Sequence, residues 1–212
     1  VNPRTQALTL SGPAGAIEAL QDEPELAAGQ PPRGVAVIAH PHPLFGGTMN
    51  NKVVQTLARA FVQGGWRAVR FNFRGVGASA GTYDEGRGEL ADLLAVVEQV
   101  APAQQPLALA GFSFGAFVTS HAVAALWPTR APAKIVLVGT AASRFQVAPL
   151  PPEAHERALV VHGETDETVP LAAVMDWARP QLLPVTVVPG GEHFFHGQLP
   201  LLKGLVARHL RA

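Results

Sequence analysis

The feature that most limits how this chain can fold is a regular alternation between two kinds of apolar segment. Short strand-like runs, VAVIA, WRAVRFNF, PLALAGF, KIVLVG, ALVVHG and PVTVV, are separated by longer stretches whose apolar residues recur three and four apart. A strand without a polar face has nothing to offer water, so it must be covered on both sides, and the intervening helices supply that cover. The pattern predicts an α/β fold with a mostly parallel central sheet of about eight strands flanked by helices. Helices are expected over 51–63, 85–100, 115–126, 171–183 and 198–210. Two further strands, around 4–10 and 16–20, are separated only by SGPAG and should form an antiparallel hairpin at one edge. The segment 140–152 is too short and too rich in Pro and Ala to build a large cap over the sheet. With 48% hydrophobic residues and no linker-like stretch, residues 1–212 are expected to form one domain.

Several function classes drop out on composition. Sixteen basic and sixteen acidic residues balance, and no Lys/Arg run could track a phosphate backbone, so nucleic acid is not an expected partner. The chain has no cysteine, which removes thiolate chemistry, disulfides and cysteine-based zinc sites. No stretch reaches the ~18 apolar residues of a membrane span, and VNPRTQALTL lacks the pattern of a secretory leader, so no membrane association and a cytoplasmic location are expected.

In a parallel sheet, ligands bind beyond the carboxyl ends of the strands. One serine stands there, in LALAGFSFGAFV: Ser113, flanked by Phe112 and Phe114 and bracketed by Gly111 and Gly115. Side chains at 111 and 115 would collide with neighbouring backbone in a sharp strand-to-helix turn, whereas glycines permit it. The pattern resembles the G-x-S-x-G nucleophile elbow of the α/β-hydrolases, in which the amide after the serine forms part of an oxyanion hole. Here that amide belongs to Phe114.

A serine hydroxyl is a weak nucleophile at neutral pH and needs a base, itself oriented by an acid. In α/β-hydrolases the chain order is serine, acid, histidine. Asp166 follows the strand ALVVHG, and His193 follows PVTVV, so order and placement both agree. Glu164 and Glu167 compete for the acid role, but HGETDETVP resembles the H-G-x-x-D-x-x-V-P segment that carries the acid in this superfamily, which selects Asp166. His193 is preferred to His196 as base. His162 is expected to hydrogen-bond within the loop that carries Asp166, and His121 and His209 to pack on helices.

After VAVIA comes HPHPLFGGTMNN, residues 40–51. In this fold such a loop contributes the second oxyanion-hole amide. Pro41 and Pro43 have no N–H, which leaves His42 or Leu44, with Leu44 preferred. His40 and His42 could suggest a metal, but no third ligand lies nearby in sequence, so no metal is expected and the two should wall the pocket or bond to backbone. RFNFRGVGASAG, residues 70–81, contains a weak dinucleotide-loop match. No helix starts there at once, and the reading preferred is a structural turn with Arg74 anchoring loops.

Together, HPHPLFGGTMNNKVV, RFNFRGVGASAGTYDEGRGE, GFSFGA and HGETDETVP resemble small bacterial α/β-superfamily hydrolases related to dienelactone hydrolase, over essentially the whole chain. The resemblance implies a compact serine esterase without a large lid, using Ser113, Asp166 and His193 and needing no cofactor. Dienelactone hydrolase has a cysteine nucleophile where this chain has Ser113, so its lactone does not carry over. The expected substrate is a small-molecule carboxylic ester with a short to medium acyl chain, bordered by His42, Phe45 and Phe112. Thioester, lactone or amide cleavage would use the same residues, and a binding protein on an inactive site is the reading from another class. Monomer and homodimer both stay open.

Overall fold

The computed structural model describes residues 4–211. A sheet of eight strands runs through it: β1 (Thr5–Gly12), β2 (Gly15–Asp22), β3 (Val35–Ala39), β4 (Arg67–Phe71), β5 (Leu107–Phe112), β6 (Lys134–Val138), β7 (Ala158–Gly163) and β8 (Val185–Val188). Their order across the sheet is β1-β2-β4-β3-β5-β6-β7-β8. From β4 through to β8 every neighbouring pair is parallel, while the β1–β2 hairpin is antiparallel and occupies one edge. This is the mostly parallel α/β architecture expected from the alternating pattern, in the α/β-hydrolase arrangement that the resemblance implies.

Five helices cover the sheet: α1 (Lys52–Gln63), α2 (Arg87–Val100), α3 (Phe114–Arg130), α4 (Leu171–Ala178) and α5 (Leu199–Arg211). Successive residues of a strand face opposite sides, and the core divides accordingly. Val35, Val37, Leu107 and Leu109 join residues of α2, α3 and α4 on one side. Ala36, Ile38, Ala108 and Ala110 join α1 and α5 on the other. The central strands β3 and β5 are therefore apolar at nearly every position.

Two helix ends differ from expectation. α3 runs on to Arg130 through Pro128, rather than ending at 126. α4 stops at Ala178 and gives way to a 3₁₀ turn, Arg179–Gln181, where Pro180 has no N–H to continue the α-helical ladder.

The topology also places the site. The chain leaves β3 through α1 to reach β4 on one side, then crosses through α2 to β5 on the other. The loops after β3 and β5 consequently meet at a switch point, where a crevice opens. Residues 140–151 after β6 form no helix, and nothing in them caps that crevice.

Among the described residues no helix is long and apolar enough to cross a membrane. The turn after β4 is held by protein contacts throughout. Arg74 makes a two-pronged ion pair with Asp92 of α2, Nη2 to Oδ1 at 2.8 Å and Nε to Oδ2 at 3.0 Å. The Ser79 hydroxyl donates to the Asn72 carbonyl and accepts the Glu18 amide. The glycines of 75–81 thus serve a folded turn, as expected from the absence of a helix after them.

Candidate active site

Ser113 sits between the last residue of β5 and the first of α3, with φ 57° and ψ −116°. A non-glycine residue in this region stores strain of order 1–3 kcal/mol, which the surroundings must hold in place. They do so partly through the Ser113 N–H, which donates to the Val138 carbonyl at 2.8 Å. The flanking glycines are required by contact. A Cβ on Gly111 would lie 2.3 Å from the Gly115 carbonyl oxygen, and one on Gly115 would lie 2.4 Å from that of Ala39 and 2.5 Å from that of His40.

Two strand ends further along, the turn after β7 holds Asp166. Its Oδ1 accepts the amides of Thr168 at 2.9 Å and Val169 at 2.7 Å. Its Oδ2 accepts Nδ1–H of His193 at 2.7 Å, and Nε2 of His193 lies 3.1 Å from Ser113 Oγ. Burial works to raise the Asp166 pKa, but the His193 hydrogen bond, the Val169 amide and the two nearby histidines outweigh it, so the carboxyl titrates below its ordinary value. An ionised acceptor fixes the proton of His193 on Nδ1 and leaves Nε2 as an acceptor facing the serine hydroxyl. Three residues 80 and 27 positions apart in sequence are thus joined in one hydrogen-bonded line, all of them buried.

The competing residues lie elsewhere. His196 is exposed and pairs with Glu192. Glu164 accepts the Gly190 amide at the surface, and Glu167 is exposed. His162, fully buried, donates Nε2–H to the Val169 carbonyl at 2.8 Å, within the Asp166 turn as expected.

The front loop separates its two histidines by role. His40 is fully buried; its Nε2 accepts the Phe73 amide at 3.0 Å and its Nδ1 donates to the Pro41 carbonyl at 2.6 Å. Because one partner can only donate and the other only accept, the ring is a neutral tautomer with its proton on Nδ1. His42 faces the crevice, its ring packed against Phe45, Tyr83, Phe114 and Phe145. Desolvation, then the charge of Arg144, lowers its pKa. Among the described residues no group of three or more His, Asp or Glu could hold a metal ion.

Two expected residues fall outside the cluster. The Leu44 N–H donates to Nδ1 of His42 at 3.2 Å and the residue is 66% exposed, so this amide is already engaged. His42 lies on the crevice wall, and its own N–H meets no acceptor among the described residues. Phe112, expected in the pocket, is fully buried; its ring packs behind His193 at 4.9 Å, because the strand's alternation turns it into the core beneath the site. Phe45 does line the crevice, as do Phe114 and Phe194.

The crevice at Ser113 has a volume of about 400 Å³ and opens directly to solvent. Its wall includes Asn51 and Val169, which sit in the front-loop and HGETDETVP segments without a role assigned to them from sequence, and Arg144 and Phe145, which belong to no motif. The only advance sign for Arg144 and Phe145 is position, since their loop follows β6 and β6 neighbours β5.

Comparison with known proteins agrees with this architecture. The family model described as serine aminopeptidase, S33, matches residues 30–162. A crystal structure of an α/β serine hydrolase without a lid from Xanthomonas campestris is 39% identical, covers 100% of this chain and 95% of its own, and superposes with a TM-score of 0.87. An α/β serine hydrolase homologue from Coxiella burnetii is also 39% identical, over 97% of both chains, with a TM-score of 0.79. A protein from Agrobacterium tumefaciens, described as a putative α/β hydrolase of unknown function, is 27% identical over 97% of this chain and 95% of its own, with a TM-score of 0.83. A curated relative, an uncharacterized protein of Rickettsia prowazekii, is 40% identical over 116 residues. That match takes in 53% of this chain and 47% of the relative, so it spans about half the length of each.

Proposed function

The chain belongs to the α/β-hydrolase superfamily, in the family described as serine aminopeptidase S33, and from that premise we propose that it is a serine esterase acting through Ser113, His193 and Asp166. The observation that carries the reading is the His193 ring, bridging Asp166 at 2.7 Å and Ser113 at 3.1 Å. Ser113 Oγ attacks the ester carbonyl carbon while its proton passes to His193 Nε2. Asp166 holds the ring in the required tautomer and stabilises the imidazolium.

The tetrahedral oxyanion is received by two amides. Phe114 is the first residue of α3, where no intrahelical acceptor exists for its N–H, and His42 supplies the second donor in place of Leu44. Collapse of the intermediate expels the alcohol, protonated by His193 Nε2, and leaves Ser113 acylated. Water then attacks the acyl carbon, giving its proton to His193, and the carboxylic acid departs as Ser113 recovers its hydrogen. The residues need no metal or organic cofactor for these steps.

An open crevice of about 400 Å³ without a lid suits short to medium acyl chains. The aminopeptidase activity in the family description calls for an anionic group to hold a substrate ammonium, and no carboxylate lines this crevice, which favours ester cleavage. The test is labelling with a fluorophosphonate together with hydrolysis of p-nitrophenyl butyrate. Both should occur in the native chain and be lost in Ser113→Ala; native, folded protein that neither labels nor turns over would overturn the proposal.

A further inference from the structure

The crevice beside Ser113 is chemically one-sided. Arg144 lies on its wall, and the guanidinium makes no hydrogen bond or ion pair with any described residue. Asn51 also lies there; its Oδ1 accepts the Val53 amide at 2.9 Å as a helix cap, and its amide N–H₂ donates to no described residue. His42 accepts the Leu44 amide at Nδ1, so the neutral ring presents Nε2–H. Three wall side chains therefore have donors to spare, and no Asp or Glu stands among the wall residues to balance the arginine.

Spare donors, one of them a permanent cation with no carboxylate beside it, are complementary to an anion and not to an ammonium. We propose that the substrate of this site carries a carboxylate remote from the scissile bond, as in the half-ester of a dicarboxylic acid, and that Arg144 is the residue that selects it. This rests on the esterase reading of Ser113 for its reaction, though not for its binding. Guanidinium and carboxylate match as a planar fork, and charge-assisted bonds of this kind are the stronger class. Arg144 is solvent-exposed, so salt screens the attraction and the preference is moderate. The aromatic wall of Phe45, Phe114 and Phe145 leaves an apolar path for the methylenes between the two ends.

The experiment compares three p-nitrophenyl esters of equal length: the hexanoate, the mono-ester of adipate and the 6-aminohexanoate. The native chain should favour the adipate mono-ester over the hexanoate by about tenfold in kcat/KM at low salt, chiefly through KM, with the amino ester the poorest. Arg144→Gln should bring the adipate-to-hexanoate ratio close to one, and Arg144→Glu should invert the order so that the amino ester leads. Misfolding cannot produce an inversion. Binding is read separately on Ser113→Ala by calorimetry with monoethyl adipate against ethyl hexanoate, and again in the double variant with Arg144→Gln. A ratio that ignores both Arg144 variants, or equal binding of the two ligands to Ser113→Ala, would overturn the proposal. If no ester is hydrolysed but monoethyl adipate binds through Arg144, the esterase reading fails and the anion site stands.

Discussion

His40 and Phe73 are joined by a hydrogen bond of 3.0 Å from the Phe73 amide to the imidazole Nε2, across the two strand-end loops that flank the centre of the sheet. Burial, against the opposing effect of the Pro41 bond, lowers the His40 pKa to about 4. A base depressed from 6.5 when folded takes up its proton more readily when unfolded, so its stabilising contribution is complete above pH 6.5 and is lost as the pH falls toward 4. A shift of this size corresponds to roughly 3 kcal/mol. Urea unfolding should thus give a steep loss of stability between pH 6.5 and 4, and His40→Ala should be less stable at pH 7 with a shallower slope over that interval. His42, His162 and His209, whose pKa values are also lowered, keep part of the slope in the variant.

Asp166→Asn should leave the fold in place and reduce kcat for p-nitrophenyl butyrate by on the order of 10³- to 10⁴-fold, because the amide can present its N–H₂ to His193 and favour the wrong tautomer. Steady-state kinetics with a thermal melt as control separates this from unfolding. An effect below tenfold would remove Asp166 from the proposed triad.

The second oxyanion donor is tested by a pair of substitutions at one position. His42→Ala keeps the backbone N–H and His42→Pro removes it, and the local φ of −54° already suits proline. The proline variant should lose a further 100-fold or so in kcat relative to the alanine variant. Equal rates would return the role to another amide.

Gly115→Ala should unfold or severely destabilise the chain, since its Cβ would lie 2.4 Å from the Ala39 carbonyl oxygen. Gly204→Ala provides the opposite case. Gly204 lies inside α5 with no atom within 4 Å of the added Cβ, so the helix should gain about 0.5–1 kcal/mol. Thermal melts of the two variants read both directions.

A p-nitrophenyl ester series should show kcat/KM peaking at short to medium acyl length. Phe45 is 79% exposed and lines the crevice mouth, so Phe45→Ala should cost several-fold at the peak. A maximum at long, water-insoluble chains would contradict the open crevice.

Much of this site can be located from the chain alone, for reasons that are local. The G-x-S-x-G glycines are required by contacts within and immediately beside one turn, so they mark Ser113 in any reading of the sequence. Asp166 and His193 follow strands whose apolar runs are unmistakable, and strand ends in a parallel sheet converge on one edge. Residues two apart share a face of a strand, so alternation alone would set Phe112 and Phe114 side by side; the turn at Ser113 is what separates them. Both rings are buried, Phe112 beneath His193 on one side of the sheet and Phe114 on the other, where it also lines the crevice.

What the sequence determined by itself is therefore the α/β alternation, the edge hairpin and the identities of the residues meeting at the strand ends, because each depends on periodicity or on short-range sterics. What only the tertiary structure decided depends on where separate segments come to rest. The Leu44 amide is spent locally because the His42 ring folds back to take its N–H, whereas the His42 N–H meets no acceptor among the described residues. Arg144 reaches the same crevice from the loop after β6, and no pattern along the chain records that a cation there has no carboxylate to answer it. Hydrogen-bond commitment and charge balance are properties of neighbours in space.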